Sequence, residues 1–169
     1  MTFPAGYTLR PATAADAVLI QAQRDEIFTD MGLDADRVQA VSAASQAWLR
    51  GALSSGLYQG WLVEDPAGQV VAGAGVSWQQ PQPSPVNGAK ARAYLDNVYV
   101  APQARRQGLA RSLVQRLLSE CGHRDVRLVT LHATAAGRPL YEQLGFVPTD
   151  EMRLLVPVAV APVADLDPA

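Results

Sequence analysis

The run Arg105-Arg106-Gln107-Gly108-Leu109-Ala110-Arg111 has the residue types and spacing to hold an anion. It follows an apolar run ending at Val100 and opens a segment, Gly108 to Glu120, in which Leu109, Leu113 and Leu117 recur at helical spacing with Val114 and Leu118 beside them. A helix starting there offers unpaired N–H groups and a partial positive charge. Gly108 lacks the Cβ that would hold a phosphate off the backbone, and the arginines can add charge-assisted hydrogen bonds. A pyrophosphate is the natural guest. An isolated Arg-Arg-x-Gly is more often a solvated helix start; here the strand before it, the Ala101-Pro102 stop and the helix after it supply the context.

Other phosphate and metal chemistries do not fit. A P-loop needs Gly-Lys-Ser/Thr, and Lys90, the only lysine among 14 basic side chains, is not in such a setting. Gly73-Ala74-Gly75-Val76-Ser77-Trp78 begins like a dinucleotide fingerprint but carries Trp78 where the third glycine belongs, and reads as glycines easing close packing within a strand. Cys121 is alone, so neither an intramolecular disulfide nor a thiolate zinc site is available, and His123 and His132 do not rescue a metal reading. No metal is expected.

These residues need a scaffold, and the composition allows one domain. The chain has 169 residues, 14 basic against 16 acidic side chains, 49% hydrophobic and 18% charged residues. Residues 1–156 read as a single folded unit, followed by an Ala/Pro/Val-rich tail, 157–169, that is either mobile or an intersubunit contact and so permits a homodimer. A net charge of −2 gives no general attraction to nucleic acid or anionic lipid. The N-terminal residues lack the pattern of a signal peptide, and no apolar run approaches the roughly 20 residues of a membrane helix. The expectation is a soluble cytoplasmic protein without nucleic-acid or membrane partners.

Tyr7 to Arg10 reads as a strand, and Thr13 with Asp16 as a capping-box start for a helix carrying Ala17, Ile20 and Ile27 towards Asp30-Met31-Gly32. A second helix follows Asp34, with Val38, Val41, Ser45, Trp48 and Ala52 on one face and Gly51 and Gly56 marking its end. Leu57 to Glu64 and Gln69 to Gln79 are strands joined by the tight turn Asp65-Pro66-Ala67-Gly68, and Gln80 to Gly88 is a proline-rich loop. Tyr94 to Val100 is a strand, Val126 to Ala133 another, Ala136 to Leu144 a helix closed by Gly145, and Phe146 to Val158 contains a last strand. The fold class is α+β, a mixed, mostly antiparallel central sheet with about four helices in the order βααβββαβαβ.

This arrangement resembles the GNAT superfamily of acyl-CoA-dependent N-acetyltransferases. Arg105-Arg106-Gln107-Gly108-Leu109-Ala110 matches the family signature Gln/Arg-x-x-Gly-x-Gly/Ala, Leu95 to Pro102 looks like the strand before it, and Leu140-Tyr141-Glu142-Gln143-Leu144-Gly145-Phe146 matches a second motif. The resemblance implies that the strand around Val98 splays from its neighbour to admit acetyl-CoA. Backbone groups of Val98, Tyr99 and Val100 would then pair with the pantetheine arm, and the N–H groups from Arg106 to Ala110 would hold the pyrophosphate.

The activity so implied is transfer of acetyl from acetyl-CoA to a primary amine, on a small molecule or a peptide, by direct attack in a ternary complex. The Val98 N–H would serve the oxyanion, and Tyr141 matches the tyrosine assigned to the leaving thiolate. Asp96, by simple alternation on the face of Val98 and Val100, is the candidate base or water-relay anchor; a turn-forming or loop-orienting role is the competing reading. Glu26, Trp78 and His132 are candidates for the acceptor side. Asp25, Glu26, Asp30, Asp34 and Asp36 would make an acidic rim, unless they are solvated or helix-capping acids. The alternative from a different class is a non-catalytic acyl-CoA-binding or regulatory module on the same fold, with Tyr141 only structural.

Overall fold

The computed structural model describes residues 3–86, 88 and 91–154. The expected capping pair starts the helical part of the chain. Asp16 accepts the Thr13 backbone N–H at 2.8 Å and takes the Arg10 guanidinium through bonds of 3.0 and 2.8 Å, while Arg10 Nε reaches Glu64 at 2.6 Å. One charged cluster thereby joins strand β1 (Thr8–Pro11), the entry to helix α1 (Ala17–Asp30) and strand β2 (Tyr58–Glu64). The Arg10 guanidinium holds the Asp16 carboxyl below the usual carboxylate range.

Asp34 caps helix α2 (Ala35–Ser55) by accepting the Arg37 N–H at 3.1 Å, and Gly56, at φ 75°, ends it in the left-handed conformation. Gly51 lies inside this helix and does not mark its end. The buried face runs through Val38, Leu49 and Ala52, leaving Val41 and Trp48 exposed. Trp48 instead meets Tyr58 edge-on, with ring centroids 6.2 Å apart.

The Asp65 carboxylate accepts the N–H groups of Ala67 and Gln69, both at 2.9 Å, which shapes the hairpin between β2 and strand β3 (Val70–Gln79). Strand β4 (Arg92–Val100), helix α3 (Leu109–His123), strand β5 (Leu128–Thr130) and helix α4 (Arg138–Gln143) follow. The sheet order is β1-β2-β3-β4-β5, antiparallel except for the parallel pair β4 and β5. The fold is therefore the expected α+β class. β5 is shorter than its apolar run suggests, and residues 144–154 contain no strand; the end of the expected last strand and the 157–169 tail lie outside the described residues.

Helices α1 and α2 cover one face of the sheet, where Ala17, Ile20, Leu49, Ala52, Tyr58 and Leu62 form a core. Helix α3 covers the other, inserting Leu113, Val114 and Leu117 against Ala74, Val76 and Leu95. Each such aliphatic side chain contributes about 1.5–3 kcal/mol by burial. Among the described residues no helix is long and apolar enough to cross a membrane.

Candidate active site

The parallel pair β4 and β5, at one side of the sheet, separates early. β4 and β5 pair from Arg92 with Leu128 to Tyr94 with Thr130 and no further, although β4 continues to Val100. Its last residues therefore present a free backbone edge on the side where β5 would have continued. Asp96 lies on β4 just past the last pair, and His132 just past the end of β5.

A bulge re-aims the side chains along this edge. Asp96 stands opposite Gly75 and Tyr99 opposite Gly73, so Asn97 and Val98 of β4 stand against Ala74 alone on β3, with Asn97 at φ 54° absorbing the extra length. Asparagine tolerates this conformation better than most residues. Simple alternation would group Asp96 with Val98 and Val100; the bulge instead sets Asp96 on the face of Tyr99, beneath α1 and α2.

On that face Asp96 lines a cavity of about 250 Å³ together with Arg24, Ser45, Trp48, Leu49 and Asn97. Ser77 Oγ donates to Asp96 at 2.8 Å. Burial pushes the Asp96 carboxyl above its ordinary range, opposed by the Ser77 bond and the nearby Arg24 charge. Arg24 Nη1 donates to Asn97 Oδ1 at 2.7 Å, and Asn97 Nδ2 to the Tyr58 hydroxyl at 3.1 Å. The Tyr99 hydroxyl donates to Glu26 at 2.5 Å, and its pKa is pushed up to about 12 by burial and by that carboxylate.

At the end of β4 the chain enters α3 through two left-handed residues, Arg106 at φ 66° and Gly108 at φ 82°. A Cβ added to Gly108 would meet nothing within 4 Å, so the space before the helix is open to a ligand. The surrounding side chains brace the turn. Arg105 ties Asp30 at 2.7 Å and the Val100 carbonyl at 3.0 Å, Gln107 accepts from the Tyr7 hydroxyl at 2.7 Å, and Arg111 bonds Gln143. Leu109 is buried in the core. Arg106 has no side-chain partner among the described residues, which leaves its charge available to an anion.

Across the split, Tyr141 and His132 line a second cavity, about 550 Å³, between β5 and α4. Tyr141 packs edge-on against Phe146 with centroids 5.8 Å apart, and burial raises its pKa. Its hydroxyl makes no hydrogen bond among the described residues. His132 Nδ1 is bonded to the Tyr94 hydroxyl.

A splayed parallel pair, a bulged strand and a glycine-opened helix start form one continuous arrangement, and comparison with known proteins places it. A family model described as the acetyltransferase (GNAT) family matches residues 24–146. The chain belongs to the GNAT family. A crystal structure of a GCN5-related N-acetyltransferase from Ralstonia eutropha JMP134 shares 33% identity over 89% of this chain and 99% of that one, with a TM-score of 0.85. A predicted acetyltransferase from Clostridium acetobutylicum, crystallised with acetyl-CoA, shares 26% identity over 89% of this chain and 96% of that one, with a TM-score of 0.82. An aminoglycoside acetyltransferase from a soil metagenomic sample shares the fold at 18% identity, 90% and 99% coverage and a TM-score of 0.69. No curated protein sequence matches significantly.

Within this GNAT domain the expected site residues separate into groups. Val98, Tyr99, Val100 and the turn from Arg105 to Arg111 lie in one continuous path along the β4 edge and into α3. Asp96 and Tyr141 line different cavities, on the α1/α2 side and the β5/α4 side of the split. Trp78 lines neither of these cavities: it pairs with Ala93 on the sheet face away from Asp96, packed in the α3 core under the Arg124 guanidinium. Trp48 lines the cavity beside Asp96 instead. His132 lies beyond β5 rather than within it.

The acidic rim is largely committed to structure. Asp25 accepts from Gln21 and Ser42, Asp30 pairs with Arg105, Asp34 caps α2, and Glu26 holds Tyr99. Arg24, Asn97 and Tyr58 were not marked by sequence patterns as site residues. An asparagine inside a β-branched strand was the available signal for the bulge.

Proposed function

We propose that this protein transfers an acetyl group from acetyl-CoA to a primary amine by direct attack within a ternary complex. The observation that carries the reading is the free β4 edge leading directly into the open, left-handed turn at Gly108. Backbone groups of Val98 to Val100 would bind the pantetheine arm, and the N–H groups from Arg106 to Ala110, with the Arg106 side chain, the pyrophosphate. Bound acetyl-CoA supplies the activated thioester.

An alkyl ammonium, with pKa about 10.4, must lose a proton before attack. Asp96 accepts it directly or through water, and its burial makes it a stronger base than an exposed carboxylate. The nitrogen then bonds to the acetyl carbon, the carbon–sulfur bond breaks, and a second nitrogen proton balances the departing sulfur. The backbone N–H of Val98 is the candidate donor to the acetyl oxygen.

Tyr141 faces the sulfur in this reading. A phenol at about 10 and a thiol at about 8.5 make full proton transfer uphill by roughly 2 kcal/mol, and burial of Tyr141 increases that gap. A hydrogen bond from its hydroxyl to the sulfur is the role that fits. The test is release of CoA thiol from acetyl-CoA with and without a panel of amines. Amine-dependent release supports transfer; tight CoA binding with no release across the panel supports a non-catalytic acyl-CoA-binding module.

A further inference from the structure

The cavity lined by Asp96 carries a second charge that the transfer chemistry does not use. Arg24 is half-buried in its wall, bonded through Nη1 to Asn97 and with its guanidinium carbon 4.7 Å from the Phe28 ring centroid. Its Nε and Nη2 donors have no partner among the described residues. Arg10, Arg105 and Arg116 each pair with a carboxylate, whereas none among the described residues lies within ion-pair distance of Arg24. A guanidinium in a concave, partly desolvated wall with a free fork of donors is short of an anion, and a carboxylate matches that fork in two parallel bonds.

We propose that the acceptor is a small amino carboxylate, its carboxylate taken by the free edge of Arg24 and its amine presented to Asp96. This rests on the acetyltransferase reading and narrows its acceptor. The cavity's two ionic groups have opposite sign, as the two ends of such a zwitterion require. Its volume of about 250 Å³ suits a molecule of amino-acid size, and Trp48 and Leu49 offer apolar surface to a side chain. A polyamine would bring only positive charge to Arg24, and a polypeptide N-terminus has no carboxylate on its first residue's backbone.

Thiol release is compared for matched trios, each a free amino acid, its carboxamide and its decarboxylated amine. The acid is expected to exceed both relatives in kcat/KM by about ten- to hundredfold, and Arg24→Ala to collapse that ratio towards one, chiefly through KM. Arg24→Gln, which keeps the aliphatic stem and an amide donor but not the cationic fork, is expected to do the same and guards against a folding defect in the alanine variant. A relative lacking the carboxylate that reacts as fast as the acid overturns the proposal, as does a ratio that survives both substitutions. Calorimetric titration of the same trios onto protein saturated with CoA reads recognition without chemistry. Carboxylate-dependent binding that Arg24→Ala abolishes, with no acetyl moved, upholds the carboxylate site at Arg24 and overturns only the transfer reading; absence of such binding together with absence of a rate preference overturns the proposal.

Discussion

The Tyr58 hydroxyl oxygen lies 1.9 Å from where a Cβ on Gly75 would stand. The ring therefore lies flat across β3 because residue 75 has no side chain, and its hydroxyl is delivered to Asn97 at 3.1 Å. Asn97 is the bulge residue and also receives Arg24 at 2.7 Å. A glycine in one strand thus fixes a tyrosine from the next, which fixes the bulge that sets Asp96 and Tyr99 on a common face.

Gly75→Ala should accordingly damage both fold and site. The added methyl strikes the ring carbon and oxygen of a fully buried side chain, an overpacking of about 1–3 kcal/mol, measured by urea unfolding, with a lower acceptor kcat/KM. Gly73→Ala should cost less, because its Cβ meets the far end of the Gln23 side chain at 2.5 Å rather than a ring.

Gly108→Ala should separate cofactor binding from stability. A Cβ there meets nothing within 4 Å, so the fold bears only the left-handed backbone strain, about 1–2 kcal/mol, while the methyl enters the anion space. KM for acetyl-CoA is expected to rise about tenfold, equivalent to roughly 1.4 kcal/mol. Gly56→Ala, equally left-handed at φ 75° and equally unobstructed, is the control: a similar stability loss with acetyl-CoA binding retained.

Much of this architecture was legible in the sequence because its signals are local. The Thr13/Asp16 cap, the Asp65 turn and the leucine stripe of α3 each act within a few residues, and each formed as expected. The site was less legible where two strands must be compared. A bulge is a register relation between β3 and β4, so the face of Asp96 depends on Gly73 and Gly75 as much as on its own neighbours. The face of Trp78 was hidden for a similar reason, since only the pairing with Ala93 reveals it.

Asp96→Asn should change activity and stability in opposite directions. If Asp96 is the proposed base, activity falls as pH drops through a pKa that burial has raised above about 3.9. The asparagine variant should lose that acidic limb along with most of its rate. The fold, in contrast, binds this proton more tightly than the unfolded chain. Its stability declines as pH rises from the unfolded pKa through the folded one, and the penalty persists above it. The variant's Tm is therefore expected to exceed the parent's at pH 7 and to converge with it near about pH 4; a lower Tm at pH 7 would count against a desolvated carboxylate.

Tyr141→Phe should leave the edge-on packing against Phe146 intact and change stability by less than about 0.5 kcal/mol. If the hydroxyl bonds the departing sulfur, kcat drops about ten- to hundredfold while binding of acetyl-CoA, read by calorimetry, is retained. An unchanged kcat would assign Tyr141 to packing alone.

The most direct test of acetyl transfer is mass spectrometry of an amine mixture incubated with the protein and acetyl-CoA. Acetyl replacing hydrogen adds about 42 mass units to the nucleophile, so the account predicts that gain on an acceptor nitrogen, matched in amount by free CoA and absent without the protein. Acetyl-CoA bound tightly with no acceptor labelled across the mixture, or consumed only to acetate, would contradict it.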